Sequence, residues 1–138
     1  SVLCRLRSYG SPTATTQIID QGLRNSAWLL DRSPGSAVSL ASVADRMSRK
    51  STEVVIATDT LDDPRAQALV AAYNETVRPH TVLSVLTPDR NSQLAQFTAV
   101  LGKTAGDNGP LAYVCHDGIC HLPPDSVAAF RTQLKRRD

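Results

Sequence analysis

The dipeptide Asp117-Gly118 lies between two β-prone runs, Leu111 to His116 and Ile119 to Leu122, and restricts the fold more than any other feature of the chain. A two-residue turn between antiparallel strands needs φ > 0 at both central residues, and Asp-Gly accepts that conformation. The pair therefore predicts a β-hairpin near the C-terminus. Any sheet the chain builds must accommodate antiparallel strands there.

Upstream of the hairpin the pattern alternates. Glu53 to Thr58 is a short apolar run of the kind found in buried strands. Asp63-Pro64 starts a helix with Ala66, Leu69, Val70, Tyr73 and Val77 on one face. Thr81 to Leu86 is a second strand. Asn91-Ser92 opens a helix carrying Leu94, Phe97 and Leu101, which Gly102 ends. A polar loop, Lys103 to Gly109, leads into the hairpin, and Asp125 caps a last helix with Val127, Phe130 and Leu134 on one face. The order is β-α-β-α-β-β-α. Strand–helix–strand crossovers favour a parallel pair and the hairpin adds antiparallel strands, so the fold class is α/β with a mixed sheet. This order resembles the thioredoxin fold. Pro110 sits where that fold carries its cis-proline, but Asp59-Thr60-Leu61-Asp62-Asp63 stands where it carries Cys-x-x-Cys. A Rossmann-like three-layer arrangement is the alternative.

Residues 1–50 form a helical segment, distinct from the small α/β domain of residues 51–138. Ser11-Pro12 supplies a cap and a proline for a first helix, along which Ile19, Leu23, Ala27 and Leu30 recur. Ser33-Pro34-Gly35 breaks it, and a second helix carries Val38, Ala41, Ala44 and Met47. Trp28 falls off the main apolar stripe. Two amphipathic helices cannot bury both faces alone. Residues 11–50 are therefore expected to pack on the rest of the chain, on preceding domains of a parent protein, or on a second copy.

With 138 residues, 41% hydrophobic and 20% charged, the chain has the composition of an ordinary globular domain. A net charge of +2 gives no footprint for nucleic acid, and Lys135-Arg136-Arg137 reads as a solvated last helical turn. No apolar run approaches the length of a membrane span, and there is no signal-peptide pattern. A chain that begins with Ser1 reads as an excised piece, with a processed product as the alternative. Three cysteines do not suggest a secreted disulfide scaffold, so a reducing cytoplasm is the expected location.

The hairpin carries the main chemical question. With Asp117 and Gly118 in the turn, Cys115 faces Cys120 as a non-hydrogen-bonded pair, for which a Cα separation of about 4.5 Å is expected. Side chains alternate along a strand, so both thiols project to one face, and His116 and His121 to the other. That parity separates the four groups a zinc site would have to converge. Packed thiols are the default reading, because free cysteine behaves as a small buried hydrophobe. A reversible disulfide is the alternative, short in span and hence easily reduced.

The acidic loop Asp59, Asp62 and Asp63 lies at the C-terminal end of the first strand, where ligands of open α/β sheets bind. Capping of the following helix explains these residues without a ligand, and Mg²⁺ or a polar ligand is the alternative. No nucleophile elbow or phosphate-cradling loop is present; Gly102-Lys103-Thr104 lacks the earlier glycine of a P-loop and follows a helix. His80 reads as a surface linker residue, and Cys4 lies near the chain start with no evident partner. No cofactor and no catalytic residue is implied.

Several residues together resemble the C-terminal region of the YyaL-type proteins, a thioredoxin-domain-containing family with a spermatogenesis-associated animal relative. They are Glu53-Val54-Val55-Ile56, then Pro64, Gln67 and Leu69, then Arg78-Pro79 and Gly102-Lys103, and above all Ala112-Tyr113-Val114-Cys115 with Cys120 and Pro123. Ala57-Thr58 departs from the glycine that family tends to have there. The resemblance implies a longer parent, with a thioredoxin-like domain and then an α/α barrel, of which the helices before Lys50 would be the tail. Its candidate active sites lie in those other parts. The chain then reads as a non-catalytic C-terminal module. A thiol redox element using Cys115 and Cys120, or a ligand site at residues 59–63, are the alternatives.

Overall fold

Strand β1 (Thr52–Ala57) is the spine of the sheet, because it is paired along both edges. In the computed structural model, which describes residues 13–49, 51–76, 78, 80–94 and 97–135, β2 (Thr81–Leu86) lies parallel to β1 and β3 (Leu111–His116) antiparallel to it. The short β4 (Ile119–Cys120) closes the hairpin on β3, giving the order β2-β1-β3-β4. The chain is thus α/β with the expected mixed sheet and the expected order of strands and helices. Asp117 and Gly118 have φ of 52° and 82°, the pair of positive values that the turn requires.

The sheet separates two cores. On one face Val54, Ile56, Ala112 and Val114 meet Ala66, Leu69 and Ala72 of α4 (Pro64–Asn74) and Phe130 of α6 (Val127–Lys135). Val127 and Leu134 pack against the same cluster, so the face read from the last helix is the buried one. On the other face Val55 and Leu86 meet Val100, with Leu94, Phe97 and Tyr113 beside them. Both clusters draw on residues 54–134.

Helix boundaries differ from expectation at two caps. Helix α5 (Pro88–Leu94) starts three residues before Asn91, because Pro88 takes the first helical position and the Thr87 carbonyl accepts from the N–H groups of Arg90 and Asn91. The helix ends at Leu94 rather than at Gly102, so Leu101 lies outside it and is exposed, in the turn that Gly102 closes at φ 71°. Ser126, not Asp125, caps α6: its Oγ accepts from the Ala129 N–H at 3.1 Å. Helix α4 ends at Asn74, and Val77 lies outside the described residues. Strand β4 stops at Cys120, although the His121 N–H still donates to the Val114 carbonyl at 3.0 Å. All peptide bonds among the described residues are trans, that of Pro110 included.

The helical segment is broken more often than its periodicity suggests. It comprises α1 (Thr13–Ser26), α2 (Trp28–Arg32), a 3₁₀ turn (Pro34–Ala37) and α3 (Val38–Ser48). The additional break, at Ala27, precedes the run Trp28–Leu30, whose bulky side chains lie around the helix rather than along one stripe. Among the described residues of this segment only Ile19 and Ala37 are buried apolar groups. Trp28 is 58% exposed, and Ile18, Leu30 and Val38 are exposed as well, so the stripe through Leu30 and Val38 is not covered. Ser11, Pro12, Cys4 and Lys50 lie outside the described residues.

Candidate functional site

The hairpin holds Cys115 and Cys120 directly opposite one another, and their sulfurs are bonded. This corrects the default reading of packed thiols: the geometry is that of the disulfide alternative. The Cα atoms are 3.9 Å apart, nearer than an ordinary facing pair. The reason lies in the register, since a two-residue turn leaves the second pair out from it non-hydrogen-bonded and close. The two cysteines differ in access. Cys115 is 1% exposed, whereas Cys120 lies on the exposed strand β4.

Strand parity holds as expected. His116 and His121 share the opposite face, their ring centroids 5.4 Å apart in an edge-on contact. His116 Nδ1 lies 3.0 Å from the Thr52 hydroxyl. The thiol and imidazole groups therefore do not converge, and among the described residues no group of three or more His, Cys, Asp or Glu side chains is placed to hold a metal.

Two further residues define the site, and sequence patterning assigned neither to it. Glu53 was legible only as the first residue of an apolar strand. It stands opposite Cys115 in the β1–β3 register, on the same face of the sheet, and is 6% exposed. The Ser51 hydroxyl donates to one of its carboxylate oxygens, and the Gly118 backbone, in the turn of the cysteine hairpin, weakly favours the charged carboxylate. The Asp117 N–H donates to the Ser51 carbonyl at 3.0 Å, so the turn is fastened to the start of β1. Burial pushes the Glu53 carboxyl above its ordinary value. The Ser51 hydrogen bond and the Lys103 charge oppose that rise, Asp117 adds to it, and the Gly118 backbone opposes it.

Lys103 is the second. Read as part of a polar loop, it is instead only 7% exposed. Its Nζ lies 6.0 Å from the Tyr113 ring centroid, a cation–π distance. Tyr113 in turn donates to the Thr104 carbonyl at 2.8 Å, and the Asn91 side chain donates to the Lys103 carbonyl at 3.3 Å, which fixes the loop over the sheet. Burial draws the Lys103 ammonium below its ordinary value, against the pull of Glu53. A disulfide half open to solvent thus sits beside a buried carboxyl, whose charged form a buried lysine favours from the loop after α5. A signal existed in the sequence: a lone acidic residue in an otherwise apolar strand has to be paired or protonated.

The acidic loop divides. Asp63 caps α4, accepting from the Arg65 N–H at 2.8 Å, and its carboxylate also accepts from Arg65 Nε and Nη2. Arg65 holds the Asp63 carboxyl below its ordinary range. The same guanidinium donates to the Asn108 carbonyl at 2.6 Å and occupies the space a side chain at Gly109 would need. Asp59 and Asp62 are exposed, and the Asp62 N–H faces the Thr60 hydroxyl at 3.4 Å. His80 is not merely a linker residue, since its Nε2 lies 3.5 Å from Asp45 of α3 and joins the helical segment to the start of β2.

Comparison with protein-family models, with curated proteins and with solved structures finds no match. No helix among the described residues is long and apolar enough to cross a membrane.

Proposed function

We propose that this chain is a non-catalytic module from the C-terminal region of a larger YyaL-type protein, with a thioredoxin-like sheet that has no Cys-x-x-Cys. The observation that carries this reading is the uncovered apolar surface of α1, α2 and α3, centred on Ile18, Trp28, Leu30 and Val38. A helical segment that buries so little of its own apolar area is suited to dock on another body. The preceding domains of the parent are the proposed partner, and self-association through the same helices is the alternative. The full reading frame of the encoding gene tests this directly. A thioredoxin domain and an α/α barrel upstream of Ser1 are expected; a frame without them, or robust turnover of sugars or disulfides by the isolated chain, overturns it.

A second reading is favoured by the bonded cysteines. In a cytoplasmic protein, which we also propose, a disulfide is transient or redox-sensing rather than a permanent staple. Cys115 and Cys120 then form a thiol redox element. Mass spectrometry after alkylation, with and without dithiothreitol, is expected to show two additional modified thiols only after reduction. Two modified thiols at these positions in the untreated native protein, unchanged by mild oxidant, overturn the redox reading.

A further inference from the structure

We propose that Glu53 and Cys115 form a proton-sharing pair, through which an external dithiol opens the Cys115–Cys120 disulfide by attack on the exposed Cys120 sulfur. The proposal rests on the redox reading and goes one step further, by assigning the acid–base group and the direction of attack. Three observations place it. Glu53 faces Cys115 in register on one side of the sheet, which brings Cβ atoms to about 5 Å. The Asp117 N–H, inside the loop that the two cysteines close, donates to the Ser51 carbonyl at 3.0 Å and holds the hairpin turn against the start of β1. And Cys115 is buried while Cys120 is exposed, so only one sulfur is open to a nucleophile.

The chemistry follows from burial. A dithiol, acting as thiolate, attacks Cys120 Sγ and forms a mixed disulfide, and the S–S bond to Cys115 breaks with its electron pair on Cys115 Sγ. A thiolate at that position would be a second buried anion beside the Glu53 carboxylate, and two desolvated like charges cannot both persist. The leaving sulfur therefore takes the proton of the Glu53 carboxyl, giving Cys115 thiol and Glu53 carboxylate, whose charge Lys103 faces. The second thiol of the reductant, losing its proton to solvent, attacks the mixed disulfide. It releases Cys120 as a thiolate that solvent protonates, and leaves as the oxidised cyclic disulfide. Glu53 regains its proton from solvent. Two electrons pass to the protein cysteines, and the dithiol supplies them.

The other groups around Glu53 are accounted for. Lys103 approaches from the loop after α5, and Asp117 from the hairpin turn. On the β2 side the registered neighbour is Val82, which does not titrate. Lys103 keeps the carboxylate state within reach, Asp117 disfavours it, and burial disfavours it most.

The full chain has only two glutamates, Glu53 and Glu75, so carboxyl-¹³C glutamate labelling gives two side-chain signals to follow by NMR, and Glu75→Gln assigns them. In the oxidised protein Glu53 is expected to titrate in one step. In the reduced protein its signal is expected to show a second step, above the ordinary cysteine range, as Cys115 loses its proton. Coincident titration curves in the two states overturn the proposal. Glu53→Gln preserves shape but not the exchangeable proton. Its reduction by dithiothreitol, normalised to thiolate concentration, is expected to slow by about tenfold at the acid end of the profile and to lose its pH dependence. An unchanged profile overturns the proposal; should the variant not fold, the wild-type titration alone decides. Alkylation keeps the two ideas apart. Cysteines that never pair remove the redox reading and this proposal together, whereas cysteines that cycle without moving Glu53 remove this proposal only.

Discussion

A glutamate inside an apolar strand is a large local expense, and Glu53 shows how the chain reduces it. Its carboxylate accepts from Ser51 and feels the charge of Lys103, yet burial still outweighs those partners and raises its proton affinity. The consequence for stability has a definite sign. Between the ordinary glutamate value of 4.5 and the raised native value, the folded chain holds a proton that the unfolded chain has released. Stability therefore falls as pH rises through that window, and the loss is complete above the native value. Urea midpoints measured across pH are expected to show this decline in the wild type and a flat response over the same window in Glu53→Gln. Asp63, Glu75 and Asp45 act in the opposite sense, since each is held below its ordinary value by a neighbouring arginine: Arg65, Arg131 and Arg49 respectively. Their contribution is lost as pH falls below about 4, and salt screening should weaken it because all three lie at the surface.

The hairpin is the element in which local rules and chemistry coincide. Asp117-Gly118 determined the turn, the turn determined the register, and the register placed Cys115 against Cys120. Each of those steps was legible because it depends on residues close in sequence. The bond itself was not, since cysteines at this spacing suit packing as well as pairing. Glu53 and Lys103 were illegible as partners of the pair for a different reason: they reach it from β1 and from the loop after α5, and strand order alone brings them together. The caps at Thr87-Pro88 and Ser126 have another cause: competing cap signals stand close by, at Asn91 three residues after Pro88 and at Asp125 next to Ser126. Gly118→Val is expected to destabilise the chain by about 1–2 kcal/mol, because φ of 82° strains a β-branched residue. Cys120→Ser opens a loop of about six residues and should cost about 2 kcal/mol by chain entropy. That cost is expected only against the oxidised wild type. In the presence of dithiothreitol the two proteins should unfold at nearly the same urea concentration, and a gap that persists there would trace the loss to packing at the exposed sulfur instead.

Across the whole molecule, the two apolar clusters divide the chain in a way its composition does not. Both lie between residues 54 and 134, and Phe130 is the largest fully buried side chain, wedged between β1, β3 and α4. Phe130→Ala is expected to cost about 3–5 kcal/mol, enough to unfold a domain of this size at moderate temperature. Among its described residues, the helical segment contributes to neither cluster. It buries Ile19 and Ala37, leaves Trp28 in solvent, and meets the start of β2 through Asp45 and His80. Residues 51–138 should therefore fold by themselves. In ¹H–¹⁵N spectra the amides of β1, β3 and β4 are expected to keep their positions after removal of residues 1–50, with changes confined to the surroundings of His80. A collapse of dispersion would mean that the helices complete the core. The separated helical segment should show little helix in dilute solution, because isolated helices of this length are marginal without a packed face. Trp28, the only tryptophan, reports on what covers that face in the intact chain. Its emission should be that of a solvated indole in the free protein and should shift to the blue when a partner docks. An indole that stays solvated in the presence of the parent's preceding domains would show that they do not cover this surface.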